Sequence, residues 1–231
     1  MSQKIEKVLI TGATGYVADQ MLTFMKEQYE TVLVDTREVN RRGEPVEEVN
    51  IVDLIDPDRA KYSHLFEGVD AVIHLAYKRR TGDPLDHFND EKQNVEMAYN
   101  VFRSSYDAGV QRVVMASSNH AADWYEHALI HNGDLDIVRP YDLPLSDNFY
   151  GWAKATYEHM GFLFASGGMG EGGDGASGSA ATGNLLAGNL NTSRKMGVVM
   201  VRIGAPRDVE TEMYRGKQAA YKRDLGAYIS P

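Results

Sequence analysis

The sequence predicts an α/β fold, a doubly wound parallel sheet with helices on both faces. Three features predict it. Short runs rich in Val, Ile and Leu recur along the chain, amphipathic stretches of helical length separate them, and a glycine-containing turn joins the first run to the first stretch. The runs are continuously apolar rather than alternating, the pattern of strands buried on both faces. Such alternation of strand and helix argues for parallel strands joined by right-handed crossovers.

Taken in order, the strands are KVLI (7–10), TVLVD (31–35), the weaker EVNIV (48–52), DAVIHLA (70–76), RVVMASS (112–118) and VVMVRIG (198–204). Helical patterns cover 18–28, 57–66, 88–108 and 149–165. One segment breaks the rhythm. Residues 166–191 are dense in Gly, Ser, Ala and Asn, too poor in large side chains to offset their ordering entropy by burial. The expectation is a flexible surface insertion over 166–196, or a mobile lid in which 185–190 docks as a short turn. The chain closes at GAYISP, without a final strand or helix, which suggests a truncated C-terminus. Residues 1–204 then form a dinucleotide-binding domain, and 205–231 begin a small substrate-binding region.

Composition narrows the function. The 231 residues are 43% hydrophobic and 25% charged, with a net charge of −9, as in a globular protein with a sizeable core. No basic face is long enough to follow a phosphate backbone, so nucleic-acid binding is not expected. In a negative field, an anionic substrate needs a local basic cluster. Cysteine is absent, which excludes disulfides, thiolate metal sites and a Cys nucleophile. No apolar run approaches the ~20 residues of a membrane span, and no signal peptide precedes the first strand. A cytoplasmic protein is expected.

The turn after the first strand carries the first chemical signal. Gly12, Gly15 and Ala18 form a Gly-x-x-Gly-x-x-Ala spacing at the opening of a helix. Gly12 permits a tight turn, Gly15 lets backbone approach a pyrophosphate, and a small residue at 18 lets helix and strand pack closely. The helix N-terminus offers N–H groups and a positive dipole end to the phosphates. Asp35 ends the second strand about twenty residues on, where a carboxylate accepts hydrogen bonds from both adenosine ribose hydroxyls and repels a 2′-phosphate. NAD is therefore preferred over NADP, with Arg37 placed to blunt the discrimination. Asp53 is placed to accept from the adenine amino group, although an Asp capping the next turn reads the same.

Within DNFYGWAKATYE (147–158), Tyr150 and Lys154 stand four residues apart on one helical face. Many surface helices begin this way. The ordered set TGATGYVA, Asp35, DAVIHLA, the Asn of QNVEMAYNV, the double serine of VVMASSNH and the Tyr-x-x-x-Lys of YGWAK is more specific. The chain thereby resembles the extended short-chain dehydrogenase/reductase superfamily, from residue 7 to about 204. Ser118-Asn119-His120, VRIG and Tyr214-Arg215 look like its uronate dehydrogenase and NAD-dependent glucose-6-phosphate dehydrogenase branch. The glycine-rich insertion and the short C-terminus depart from that pattern.

The resemblance implies a Rossmann-type sheet of order 3-2-1-4-5-6 that binds NAD through Gly12, Ala13, Thr14, Gly15, Tyr16, Val17, Asp35, Asp53, Leu75, Ala76 and Lys154. It also implies oxidation of a sugar hydroxyl. Tyr150 takes the proton as a phenolate, Lys154 tunes it and binds the nicotinamide ribose, and Ser118 contacts the reacting oxygen. Asn94 supports a water-mediated relay; a polar residue on a solvated helix face reads the same. Arg79, Asn119, His120 and Arg215 join Ser118 and Tyr150 as substrate contacts, a solvated arginine or a satisfied loop histidine being the plain alternatives. Lys78, Arg79 and Arg80, at the carboxyl edge of the sheet, suggest an anionic sugar or sugar phosphate; a solvated loop explains them as well. A free tyrosine titrates near pH ~10, so work near neutrality requires a fall of roughly 2–3 pH units, or about 3–4 kcal/mol. An exposed Lys–Tyr contact supplies at most ~1 kcal/mol, so the pair is expected in a partly desolvated pocket. The aromatic residues Tyr99, Phe102, Tyr106, Tyr157 and Phe164, with Met160, read as core packing, and the superfamily's helix pairing suggests a homodimer. Epimerisation or dehydration with a recycled nicotinamide, and non-catalytic dinucleotide sensing, are the competing functions.

Overall fold

The computed structural model describes residues 4–166 and 196–204. Its elements in chain order are β1 (Lys7–Thr11), α1 (Tyr16–Gln28), β2 (Glu30–Asp35), β3 (Val49–Ile51), β4 (Ala71–His74), α2 (His87–Ala108), β5 (Arg112–Ser118), the single turn α3 (Asp123–Tyr125), α4 (Phe149–Ser166) and β6 (Gly197–Ile203). The six strands form one sheet of order β3-β2-β1-β4-β5-β6, and every neighbouring pair is parallel. This is the Rossmann-type arrangement that the apolar runs predict. The chain leaves β1 toward β2 on one side and returns to β4 on the other. The crevice at the carboxyl ends lies at that reversal.

Continuous apolar runs suit this sheet because one strand feeds two cores. Along β1, Leu9 joins Val72, Met97, Phe102 and Tyr157 on one face, while Val8 and Ile10 join Met25 and Leu33 on the other. Helices α2 and α4 share the first layer, with Phe102 and Phe164 stacked at 5.2 Å. Tyr99 instead stays on the surface, its ring 5.9 Å from the Arg59 guanidinium. Strand β6 is tied in by a fork, as Arg202 donates to both oxygens of Glu158 at 2.7 and 2.8 Å. Ser117 of β5 donates to the same carboxylate at 2.7 Å. Two-sided burial does not extend to this strand, where Val199 is 46% exposed. Among the described residues no helix is long and apolar enough to cross a membrane.

The helix expected over 57–66 is instead two 3₁₀ turns, Arg59–Lys61 and Ser63–Phe66. Aspartates break it. Asp53, Asp56 and Asp58 accept the backbone N–H groups of Ile55, Asp58 and Ala60, which gives the backbone a local alternative to helical bonding. The apolar positions still do their work, since Tyr62 and Phe66 are fully buried. After β5 the chain forms a 3₁₀ turn (Asn119–Ala122), α3 and a π-helical turn (Glu126–Ile130), none of which was expected. Apart from Ser166, which ends α4, and the buried Met196, the glycine-rich segment lies outside the described residues. So do 205–231, including Tyr214 and Arg215.

Two features of this packing are testable. Helix α4 approaches the turn after β5 so closely that a Cβ on Gly151 would overlap the His120 carbonyl oxygen and the Ser146 hydroxyl. Gly151→Ala should therefore cost about 1–3 kcal/mol, read from a urea midpoint; an unchanged midpoint would show that the helix yields freely. The second concerns His74 at the end of β4. Its Nδ1 pairs with the Thr11 hydroxyl at 2.7 Å, its Nε2 has no partner among the described residues, and burial, reinforced by Lys154, depresses its pKa to about 3. Below its ordinary value of 6.5 the unfolded chain takes up a proton that the native ring refuses. Stability should fall with pH, by up to about 1.4 kcal/mol per pH unit. Denaturation midpoints between about pH 7 and pH 5 should slope less in His74→Gln; equal slopes would exclude His74 as the cause.

Candidate active site

A cleft of about 930 Å³ opens along the carboxyl ends of the strands. At one end stands the glycine turn. Gly12 adopts φ +70°, and a Cβ there would lie 2.6 Å from the Ala76 nitrogen and 2.8 Å from the Leu75 carbonyl carbon. Only glycine lets the end of β1 abut the end of β4 this way. A Cβ on Gly15 would lie 2.9 Å from the Gly12 oxygen. No side chain caps α1, and Tyr16, Val17 and Ala18 of its first turn line the cleft. The turn is thus a backbone cradle at a helix N-terminus, which fits a pyrophosphate. Leu75 and Ala76 line the cleft beside it, whereas Ala13 and Thr14 are fully buried behind it.

Asp35 lines the cleft and also fastens the turn. One of its oxygens accepts from the Thr14 N–H at 2.9 Å and the Thr14 hydroxyl at 2.7 Å. The other accepts from the Thr36 N–H at 2.7 Å. Arg37 donates to the Thr14 hydroxyl at 2.9 Å, and the Arg41 guanidinium lies 5.5 Å from the Tyr16 ring centroid. Two cations therefore share this end of the cleft with the carboxylate. Asp53 lines the cleft, and it caps the following turn by accepting from the Ile55 N–H at 2.9 Å.

At the other end Ser118, Tyr150 and Lys154 converge. Lys154 is buried, and its Nζ donates to the Ala116 carbonyl at 2.8 Å. Three aromatic faces surround the ammonium: Tyr157 at 4.6 Å, Tyr77 at 5.5 Å and Tyr150 at 5.6 Å to the ring centroids. Burial lowers the Lys154 pKa to about 8, with Glu91 pulling the other way. Burial likewise raises the Tyr150 phenol, opposed by the Ser118 hydroxyl and the Arg80 guanidinium. The pocket is desolvated as expected, but its first effect on Tyr150 is upward, because removing water disfavours the phenolate.

Asn94 is buried outside the cleft. Its Oδ1 accepts the Lys78 N–H at 2.8 Å, and its Nδ2 donates to the Lys78 carbonyl at 2.9 Å and to Glu91 at 3.2 Å. This amide pins the loop after β4 to α2. Glu91, like Tyr77 and Asp123, is a residue that sequence reasoning missed. It is fully buried, accepts from the Tyr77 hydroxyl at 2.6 Å and lies 3.5 Å from the Arg80 Nε. Burial raises its carboxyl above the ordinary range, opposed by the Tyr77 and Asn94 hydrogen bonds. One signal was available, since position 91 shares a helical face with Asn94, Ala98 and Val101, all buried.

His120 lies beside Tyr150, ring centroids 5.5 Å apart. Its Nδ1 meets the buried Asp123 at 2.5 Å, and Asn148 donates to the same carboxylate oxygen at 3.0 Å. Asp123 thus orients a histidine three residues earlier. Asn119 does not line the cleft; its Oδ1 accepts from the Ser118 hydroxyl at 3.2 Å. Arg79 lines the cleft together with Lys78 and Arg80, and Arg215 lies outside the described residues.

The chain is 31% identical over 173 residues to a NAD-dependent glucose-6-phosphate dehydrogenase of Haloferax volcanii, a match covering 68% of this chain and 62% of that protein. It is 30% identical over 155 residues to a uronate dehydrogenase of Pseudomonas putida, covering 66% and 53%. The chain thus spans about three fifths of the length of the curated relatives it matches. Among solved structures, a mutated uronate dehydrogenase superposes with TM-score 0.55 at 28% identity, covering 70% of this chain and 54% of that one. A short-chain dehydrogenase/reductase superfamily protein from Agrobacterium tumefaciens with bound NAD shares the fold, with TM-score 0.62, 22% identity, and coverage of 88% and 50%. Residues 8–166 match the model of the NAD dependent epimerase/dehydratase family, and the chain belongs to that family.

Proposed function

We propose that the protein is an NAD-dependent dehydrogenase that oxidises a hydroxyl of an anionic sugar. One observation carries the proposal: Ser118, Tyr150 and Lys154 gather at one end of a cleft whose other end is a glycine cradle at a helix N-terminus. NAD supplies the hydride acceptor. The backbone at Gly12 and Gly15 would hold its pyrophosphate, and Asp35 would accept from the hydroxyls of its adenosine ribose. The sugar relatives support the substrate class.

The chain's own groups manage the proton. Tyr150, as phenolate, takes it from the sugar hydroxyl, and the Ser118 hydroxyl binds the same oxygen. The Lys154 ammonium, held by the Ala116 carbonyl, stabilises the phenolate across a dry pocket. Tyrosine and lysine act as one titrating pair, whose singly protonated state includes the reactive phenolate–ammonium form. With Lys154 at about 8 and Tyr150 above its ordinary value, that state grows in as pH rises toward about 8.

Two outcomes follow for the full-length protein. Tyr150→Phe should cut turnover by on the order of 10²–10⁴-fold while the NAD dissociation constant, followed by calorimetry, stays within about threefold. Retained turnover would remove Tyr150 as the base. In the unaltered enzyme kcat/KM should climb roughly 100-fold between pH 6 and pH 9 and level off above about 8; a flat profile would contradict the pair. Net NADH accumulation with a sugar separates oxidation from epimerisation or dehydration, in which the nicotinamide is recycled.

A further inference from the structure

We infer that Arg80 is the group that reads the anionic substituent of the sugar, and that buried Glu91 positions it. The inference rests on the dehydrogenase reading and deepens it. The three cations after β4 have different fates. Lys78 turns its Nζ to Gln93 and lies 3.6 Å from Asp90, so it is engaged along α2. Arg79 lines the cleft but makes no ion pair among the described residues. Arg80 alone stands over the reacting group, its guanidinium carbon 5.2 Å from the Tyr150 ring centroid.

Arg80 is also held in a way that leaves it free to bind. Its Nε faces Glu91 at 3.5 Å, and its side chain is 39% exposed in the cleft. No acceptor among the described residues takes its terminal N–H groups. Those groups form the planar fork that matches a carboxylate or a phosphate ester. Behind it, Glu91 accepts from Tyr77 and Asn94, and Asn94 clamps Lys78 through both ends of its amide. On the far side of Arg80, the Thr81 N–H and hydroxyl bond Asp90 at 2.7 and 3.1 Å. The loop is thus stapled to α2 on both flanks of the arginine, which lowers the ordering cost of binding.

The geometry suits a single monosaccharide. In a pyranose, the anomeric hydroxyl and the C5 substituent sit on the two carbons that flank the ring oxygen. A sugar with its anomeric hydroxyl at Tyr150 can therefore bring a C6 carboxylate or 6-phosphate to the Arg80 guanidinium, which lies over the Tyr150 ring. In a chain of net charge −9, such an anion needs a fixed local cation.

The test compares glucuronate, glucose 6-phosphate and glucose as substrates of the full-length protein with NAD. Arg80→Gln should lower the anionic-to-neutral ratio of kcat/KM roughly 10–100-fold. Arg80→Lys should restore part of it, because the charge survives but the fork does not. Glu91→Gln should lower the same ratio through KM more than kcat, and an unchanged ratio would remove Glu91 from the arrangement. The two anionic substrates separate carboxylate from phosphate. An equal loss on all three sugars would mean that Arg80 only tunes Tyr150, and the inference would fall. Oxidation of glucose alone would overturn it and leave the dehydrogenase reading standing. If no sugar reduces NAD, that reading fails and binding decides. Titration of glucuronate and glucose 6-phosphate into the NAD-loaded protein should then show affinity that Arg80→Gln loses; equal or absent binding to both proteins overturns the assignment.

Discussion

The Lys154 ammonium is buried beneath the carboxyl edge of the sheet, bound to the Ala116 carbonyl and ringed by the faces of Tyr77, Tyr150 and Tyr157. Among the described residues no carboxylate lies at ion-pair distance from it. A charge so placed is costly unless its surroundings compensate. Much of the nearby architecture does so. The end of β5 presents a carbonyl, α2 contributes Glu91 at longer range, and the aromatic faces supply their quadrupoles. The same desolvation that lowers the Lys154 pKa strengthens its hold on a neighbouring phenolate.

Most of the sheet was legible because strands buried on both faces leave continuous apolar runs. In β1 alone, Leu9 belongs to one core and Val8 and Ile10 to the other, so no alternation survives to confuse the reading. The 57–66 stretch misled because periodicity registers Tyr62 and Phe66 but not the competition from Asp56 and Asp58 for backbone N–H groups. Apolar spacing records burial, and two 3₁₀ turns bury those rings as well as a helix would.

The site was legible where backbone geometry demands a residue type, and less so where side chains share charge. Gly12 could be read from its spacing because its positive φ and its approach to Ala76 admit no Cβ. Arg79 and Arg80 could not be told apart, since consecutive loop positions carry no periodicity that separates them. Glu91 was overlooked because a carboxylate on a helix suggests solvent, although its spacing from Asn94 puts it on the buried face. Asn94 was identified as a residue of the site, yet its amide is occupied by the backbone of Lys78.

Asp35, Thr14 and Arg37 form a chain of hydrogen bonds in which the threonine hydroxyl gives its proton to the carboxylate and receives one from the guanidinium. The acidic and basic groups at this end of the cleft are therefore coupled through the glycine turn itself. Replacing Asp35 would leave the Thr14 N–H and hydroxyl without their acceptor, and the hydroxyl so released is the one to which Arg37 donates. A substitution that changes the charge at position 35 therefore also has to rebuild the anchorage of the glycine turn.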